Sequence, residues 1–231
     1  MSDLEAQVAA AYAHFDGPPP KILGVCLDCC MSPEYQDEMM GAQASDISDA
    51  ALEDWFFAAA LDPMPEDVRR WLIPRVLDAL LRDAGLPPVG TEVTLDRFRP
   101  GDSAFWPAAD HARLAQFQRD FLRRALGAAP RLDDTLCMFV LGGYAMGDLA
   151  DQLMAAPTAI LARKLHSDWC ARGGHPFWET TFWRDHPGAG SFYRSARLCD
   201  HLFAHAVRPG ADAAEEAMEV AELILDYGGG R

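Results

Sequence analysis

The sequence has no long apolar run. Its most apolar stretch, residues 135–149 (TLCMFVLGGYAMGDL), is too short and too interrupted by glycine to span a bilayer. Positive charge is also scarce: 20 lysines and arginines face 35 aspartates and glutamates, a formal net charge of -15. A surface of that sign repels phosphate backbones and anionic lipid, so neither nucleic acid nor a membrane is an expected partner. The opening MSDLEAQVAAAYAHFDG lacks the basic start and continuous apolar core of a signal peptide. The expected compartment is the cytoplasm, where six cysteines serve as reduced thiols or metal ligands rather than structural disulfides.

Complete catalytic signatures are missing as well. LGGYAMG (residues 141–147) is glycine-rich but follows no convincing strand and lacks the Lys-Ser/Thr of a phosphate loop. No Ser-His-Asp set or carboxylate pair can be placed from spacing, so the sequence leaves open whether the protein is an enzyme. No motif repeats at a fixed period, which argues against a regular solenoid.

What is present is material for a core. Half of the 231 residues are apolar, with six Trp and twelve Phe among them, well above the hydrophobicity of a disordered chain. Helix signals dominate. Ser2 to Glu5 reads as a capping box, followed by Leu4, Val8, Ala11, Tyr12 and Phe15 at helical spacing. Ser32-Pro33 opens a second helix. Ser48 caps a third running to Leu61, with Ile47 and Leu52 placed as a hydrophobic staple. A fourth begins at Pro65. Its first apolar positions (Val68, Trp71, Leu72) and those from Ile73 onward (Ile73, Val76, Leu77, Leu80, Leu81, Ala84) point in different directions on one straight rod. A kink or break near Pro74 is therefore expected. Residues 85–107, rich in Gly and Pro, read as a linker, with TEVTL as a short strand candidate. Further helices fit residues 110–125, 133–142, 146–155, 157–172, 189–206 and 212–227. The expected fold is all-α, an irregular multi-helix domain of roughly nine or ten helices packed as hairpins. It would span residues 1–231, with a subdivision at the 85–108 linker.

Three segments together, VCLDCCMSPE, DISDAALEDWFFAAA and VRRWLIPRVLDALL, carry a resemblance. They are similar to an uncharacterised bacterial family with an N-terminal Cys-x-x-Cys, a Leu-Ser-x-x-x-Leu helix start and a Phe-Leu-Pro-Arg helix. Cys26 and Cys29 match the first element. Leu72, Ile73, Pro74 and Arg75 match the last, with Ile at the usual Leu position, and Cys30 is an addition. The resemblance covers about residues 10–125. It implies an architecture and, since the family has no assigned activity, transfers no function.

Three clusters carry candidate chemistry. Cys26 and Cys29 have the spacing that holds two sulfurs toward one tetrahedral zinc. Cys30 or Asp28 would be a third ligand, and His14 or His166 a distant fourth. The same thiols, close to a helix start, suit redox chemistry, though no βαβ pattern accompanies them. Buried packing is the remaining reading. Of the three, Cys26 and Cys29 form the expected pair, with Cys30 left to packing. His201 and His205 have a metal-pair spacing. On a wheel, however, they lie beside Arg194 and Arg197, opposite Phe192, Ala196, Cys199, Leu202, Phe203 and Ala206. They are expected to be exposed and metal-free. Residues 165–187 mix His166, Asp168, Cys170, His175, Glu179, Asp185 and His186 with aromatics, as in a ligand pocket, an interaction surface or a loop pinned by its rings. The leading expectation is a non-catalytic interaction protein, acting with a protein partner or as a homo-oligomer. The alternative is a zinc protein using Cys26 and Cys29.

Overall fold

The computed structural model describes residues 2–27, 30–82, 90–128, 131–170 and 187–228. The fold is all-α. Among the described residues the β content is one isolated antiparallel bridge, Val25 with Ala60. None of their helices is long and apolar enough to cross a membrane. The chain forms two compact units. One comprises residues 1–120 with Leu141–Gly143, the other Phe121–Val140 with residues 144–231. The division falls inside a helix rather than in the 85–108 segment.

In the N-terminal unit, α1 (Asp3–His14) starts from the Ser2 capping box. The Glu5 N–H donates to Ser2 Oγ (3.2 Å), and the Ser2 N–H donates to Glu5 Oε2 (2.6 Å). Two of the donors that a helix start leaves unmatched are thereby satisfied. α2 (Pro33–Gly41) follows Ser32, whose own N–H donates to Asp54 Oδ2 at 2.7 Å. α3 (Asp49–Phe57) is capped by the Ser48 hydroxyl, and Ile47 and Leu52 are both buried as the staple requires.

α3 stops four residues before the expected end. The chain turns extended at Ala58 and runs back beside residues 24–26: the Cys26 N–H donates to Ala59 O and the Leu61 N–H to Gly24 O, each 2.8 Å. Gly24 sits at φ +68 against Pro65 and Val68, a conformation and a space that suit a residue without Cβ. Arg97 closes the helix end. Its guanidinium donates to the carbonyls of Trp55 (3.1 Å), Phe56 (2.8 Å) and Ala58 (2.9 Å), acceptors that a helix C-terminus otherwise leaves open.

α4 (Glu66–Leu81) corrects the expectation of a break. It runs without interruption across Pro74. The apolar positions point several ways because neighbours cover the helix on several sides: every residue from Val68 to Leu80 is buried except Arg70 and Asp78. A helix apolar around most of its circumference is a central helix, not two amphipathic ones. Arg75 is part of this core. Its Nε donates to Ile47 O at 2.7 Å, and its Nη2 pairs with Asp49. Two of the quoted motif segments therefore meet: the Pro-Arg helix ties down the start of α3.

The 85–107 segment is not a free linker, as far as its described part, residues 90–107, shows. TEVTL forms no strand: Thr91–Val93 is a short 3-10 turn, and tight turns follow it. Leu95, Phe98 and Trp106 are buried, and the Trp106 indole donates to Phe98 O at 3.0 Å. α5 (Ala108–Ala125) comes next, with Leu114, Phe117, Leu122 and Ala125 buried along one side.

The C-terminal unit holds α6 (Leu132–Leu141), α7 (Met146–Ala155), α8 (Thr158–Trp169), α9 (Pro187–Tyr193), α10 (Ala196–Ala206) and α11 (Ala214–Gly228). α11 packs on both α8 and α10, and α9 packs on α7. Leu161, Leu165, Leu198, Leu202, Val220 and Ile224 fill the core. The helix expected over 189–206 is two helices. Ser195 starts the second, its hydroxyl accepting from the Leu198 N–H at 3.2 Å.

Candidate functional site

Cys26 lies on the short extended stretch paired with residues 59–61, its side chain half-buried. Cys29 and Asp28 lie outside the described residues, and Cys30 is half-buried just ahead of Ser32. The two histidines considered as distant ligands have other partners: His14 Nε2 meets Asp110 at 2.5 Å, and His166 Nε2 meets Glu219 at 2.9 Å. His175, Glu179, Asp185 and His186 also lie outside the described residues.

The α10 wheel needs correcting. Its buried residues are Leu198, Cys199 and Leu202, while Phe203 and Ala196 are exposed. His201 and His205 stand on the edge of that buried stripe, at the i+3 and i+7 positions from Leu198. Both are half-buried: His201 Nε2 is 3.0 Å from Thr158 Oγ1, and His205 Nε2 is 2.7 Å from Asp212 O. Burial lowers the His201 pKa, and the charges of His205, Arg208 and Arg197 add to the effect. The large ring of Phe203 suggested an inward face that the helix turns outward.

Three ligand-type side chains do converge in the C-terminal unit. His166 and Cys170 stand four residues apart at the end of α8, and Glu219 reaches them from α11. Nitrogen, sulfur and carboxylate oxygen all lie within 4.8 Å of one another. The last turn of α8 is closed by the Cys170 N–H on the His166 carbonyl at 2.8 Å, so both side chains project from one face. His166 and Cys170 are half-buried, and Glu219 is exposed. Burial raises the Cys170 pKa, and the Glu219 charge raises it further. Without a cation the thiol holds its proton.

The other side of α8 is anchored. Lys164 and Asp168 are both buried and pair at 3.2 Å. Asp168 Oδ2 also accepts from the Leu132 N–H at 2.8 Å, and Lys164 donates to Ala128 O at 3.0 Å. Next to this pair, Arg131 donates to Asp133 Oδ2 at 2.8 Å, while Asp133 Oδ1 is buried without a hydrogen bond. Burial pushes the Asp133 carboxyl up to about 7; Arg131 pulls against it and the Asp168 charge adds to the rise.

A tetrahedral zinc ion sets sulfur and nitrogen ligands about 3.5 Å apart. The three side chains lie within 4.8 Å of one another, so they would have to draw in around an ion, which would replace the His166–Glu219 hydrogen bond. Imidazole, thiolate and carboxylate are the donors that zinc accepts, and three of them leave one position open. The His-Cys half of the cluster was visible in the sequence as an i, i+4 pair; Glu219, 49 residues after Cys170 in the numbering, was not. Compared with known proteins, the chain matches no family model, no curated protein and no solved structure.

Proposed function

We propose that the protein binds a divalent transition-metal ion, zinc above all, through His166, Cys170 and Glu219. The observation that carries this reading is the convergence of three different donor types from two packed helices within 4.8 Å. The anchored inner face of α8 supports it, because fixed ligand carriers lose little freedom on binding an ion. A metal cation also reverses the local proton balance, since a coordinating thiol is deprotonated. The test is metal analysis of tag-free protein after reconstitution with zinc and desalting. One equivalent of zinc is expected in the wild type and in Cys26→Ala/Cys29→Ala, and none in His166→Ala/Cys170→Ala. Loss of zinc in the first variant would move the site to the Cys26–Cys29 pair. No bound zinc in the wild type would end the reading.

A role in association with a protein partner or a second copy of the chain has separate support. Phe203 and Val207, one turn apart, are 49% and 56% exposed, and Leu225 on α11 is 61% exposed. Sedimentation over a range of concentrations tests self-association. A mass that rises with concentration in the wild type but not in Phe203→Glu/Val207→Glu supports it, and a constant mass opposes it.

A further inference from the structure

The N-terminal unit carries a second constellation. Asp110, almost fully buried, holds two side chains at once: His14 Nε2 donates to its Oδ1 at 2.5 Å, and Arg70 donates to its Oδ2. Burial alone would raise this carboxyl; the hydrogen bonds from His14 and Arg70 outweigh burial and hold it below its usual range. The Arg70 guanidinium also lies over the Phe15 ring at 5.2 Å. Stacked and ion-paired, it is fixed in place, yet its bond to Asp110 uses only part of a five-donor fork.

Both His14 and Arg70 border an open cleft of about 460 Å³, together with Asp16, Lys21, Asp67, Trp71 and the wall of Pro18 to Pro20. A second cavity of about 150 Å³ adjoins it through Phe15, Asp16, Gly17 and Trp71. Trp71 is buried between them, and its indole N–H has no hydrogen-bond partner. Buried indole N–H groups normally have one.

The charges around the cleft decide what fits. Arg70 and Asp110 cancel. Lys21 is left against Asp16 and Asp67, so a simple anion gains little. Arg70 nevertheless offers unspent donors in the geometry that grips a carboxylate. Asp16 and Asp67 offer acceptors for an ammonium group. The proline wall and the Phe15 and Trp71 rings supply apolar surface.

We propose that this cleft binds a small zwitterion, an α-amino acid with an apolar side chain: carboxylate on Arg70, ammonium toward Asp16 and Asp67, side chain along Trp71 and the prolines. The site is independent of the zinc cluster and requires no metal. L-phenylalanine is the probe, and the readout is the Trp71 indole N–H signal in a nitrogen–proton correlation spectrum, identified by its loss in Trp71→Phe. L-phenylalanine should shift that signal saturably in the millimolar range or tighter. Phenylalanine amide and N-acetylphenylalanine, each missing one charge, should bind about tenfold more weakly. In Asp16→Ala/Asp67→Ala, two exposed positions whose loss leaves the core intact, L-phenylalanine should lose its advantage over the N-acetyl form. No saturable shift with L-phenylalanine overturns the proposal. Equal binding of the amide overturns the Arg70 contact, and equal binding of the N-acetyl form overturns the ammonium contact; either result refutes the zwitterion.

Discussion

Replacing Asp133 by asparagine should make the protein more stable at pH 8 than the wild type. The carboxyl sits in the first turn of α6, 4% exposed, with one oxygen on Arg131 and the other without a donor. The helix N-terminus and the Arg131 charge favour ionisation, but removal from water opposes it more strongly, and the pKa stands at about 7. In the unfolded chain it returns to its ordinary value of 3.8. Between those values the folded protein keeps a proton that the unfolded chain has lost. Stability from this group is therefore complete below about pH 4 and declines as pH rises through 7. Each pH unit in that window costs about 1.4 kcal/mol, so the full loss has a ceiling of about 4 kcal/mol. The asparagine side chain would have nothing to ionise and would forfeit only the charged part of the Arg131 contact. The expected gain over wild type is about 2 kcal/mol at pH 8, shrinking to zero or reversing at pH 5. Urea unfolding of both proteins at pH 5, 6, 7 and 8 measures it, provided the m-values agree. A stability difference that stays constant across that range would show that Asp133 does not titrate as its burial requires.

Arg69 is buried with Nε and Nη1 unpaired, resting on the rings of Phe105 (4.8 Å) and Trp106 (5.5 Å). Arg69→Met should be neutral or stabilising by about 1 kcal/mol in chemical denaturation, and a loss of several kcal/mol would mean that the charge is needed there. Arg75→Met should cost about 1–3 kcal/mol, because the Ile47 carbonyl loses its donor while Asp49 keeps Arg82; an unchanged denaturation midpoint would show that the α4–α3 tie is incidental. Zinc affinity should rise with pH, since ion binding must displace a proton from a thiol whose pKa burial raises. A pH-independent affinity, read by competition with a chelating dye, would exclude Cys170 as a ligand.

The sequence made local chemistry legible and tertiary placement much less so. Ser2, Ser48 and the Ile47–Leu52 staple mark helix starts because the capping atoms are neighbours along the chain. The end of α3 was hidden because Arg97, about forty residues on, supplies the closing donors. Of the kink or break expected at Pro74, the break is absent: proline's cost is local, whereas the burial around α4 comes from many distant residues. Phe203 misled the α10 wheel because apolar size says nothing of which side a neighbour occupies. The His166–Cys170–Glu219 cluster was half legible: His166 and Cys170 have helical spacing, and Glu219 joins them only through the packing of α8 on α11.

The two buried polar side chains of α8 also set how the C-terminal unit opens. Asp168 holds the first amide of α6, and Lys164 holds the Ala128 carbonyl on the approach to it. Undocking α8 would break both of these bonds and leave Lys164 and Asp168 with only each other. α6 and α8 are therefore expected to open together, which hydrogen exchange would show as a common opening free energy for amides of both helices.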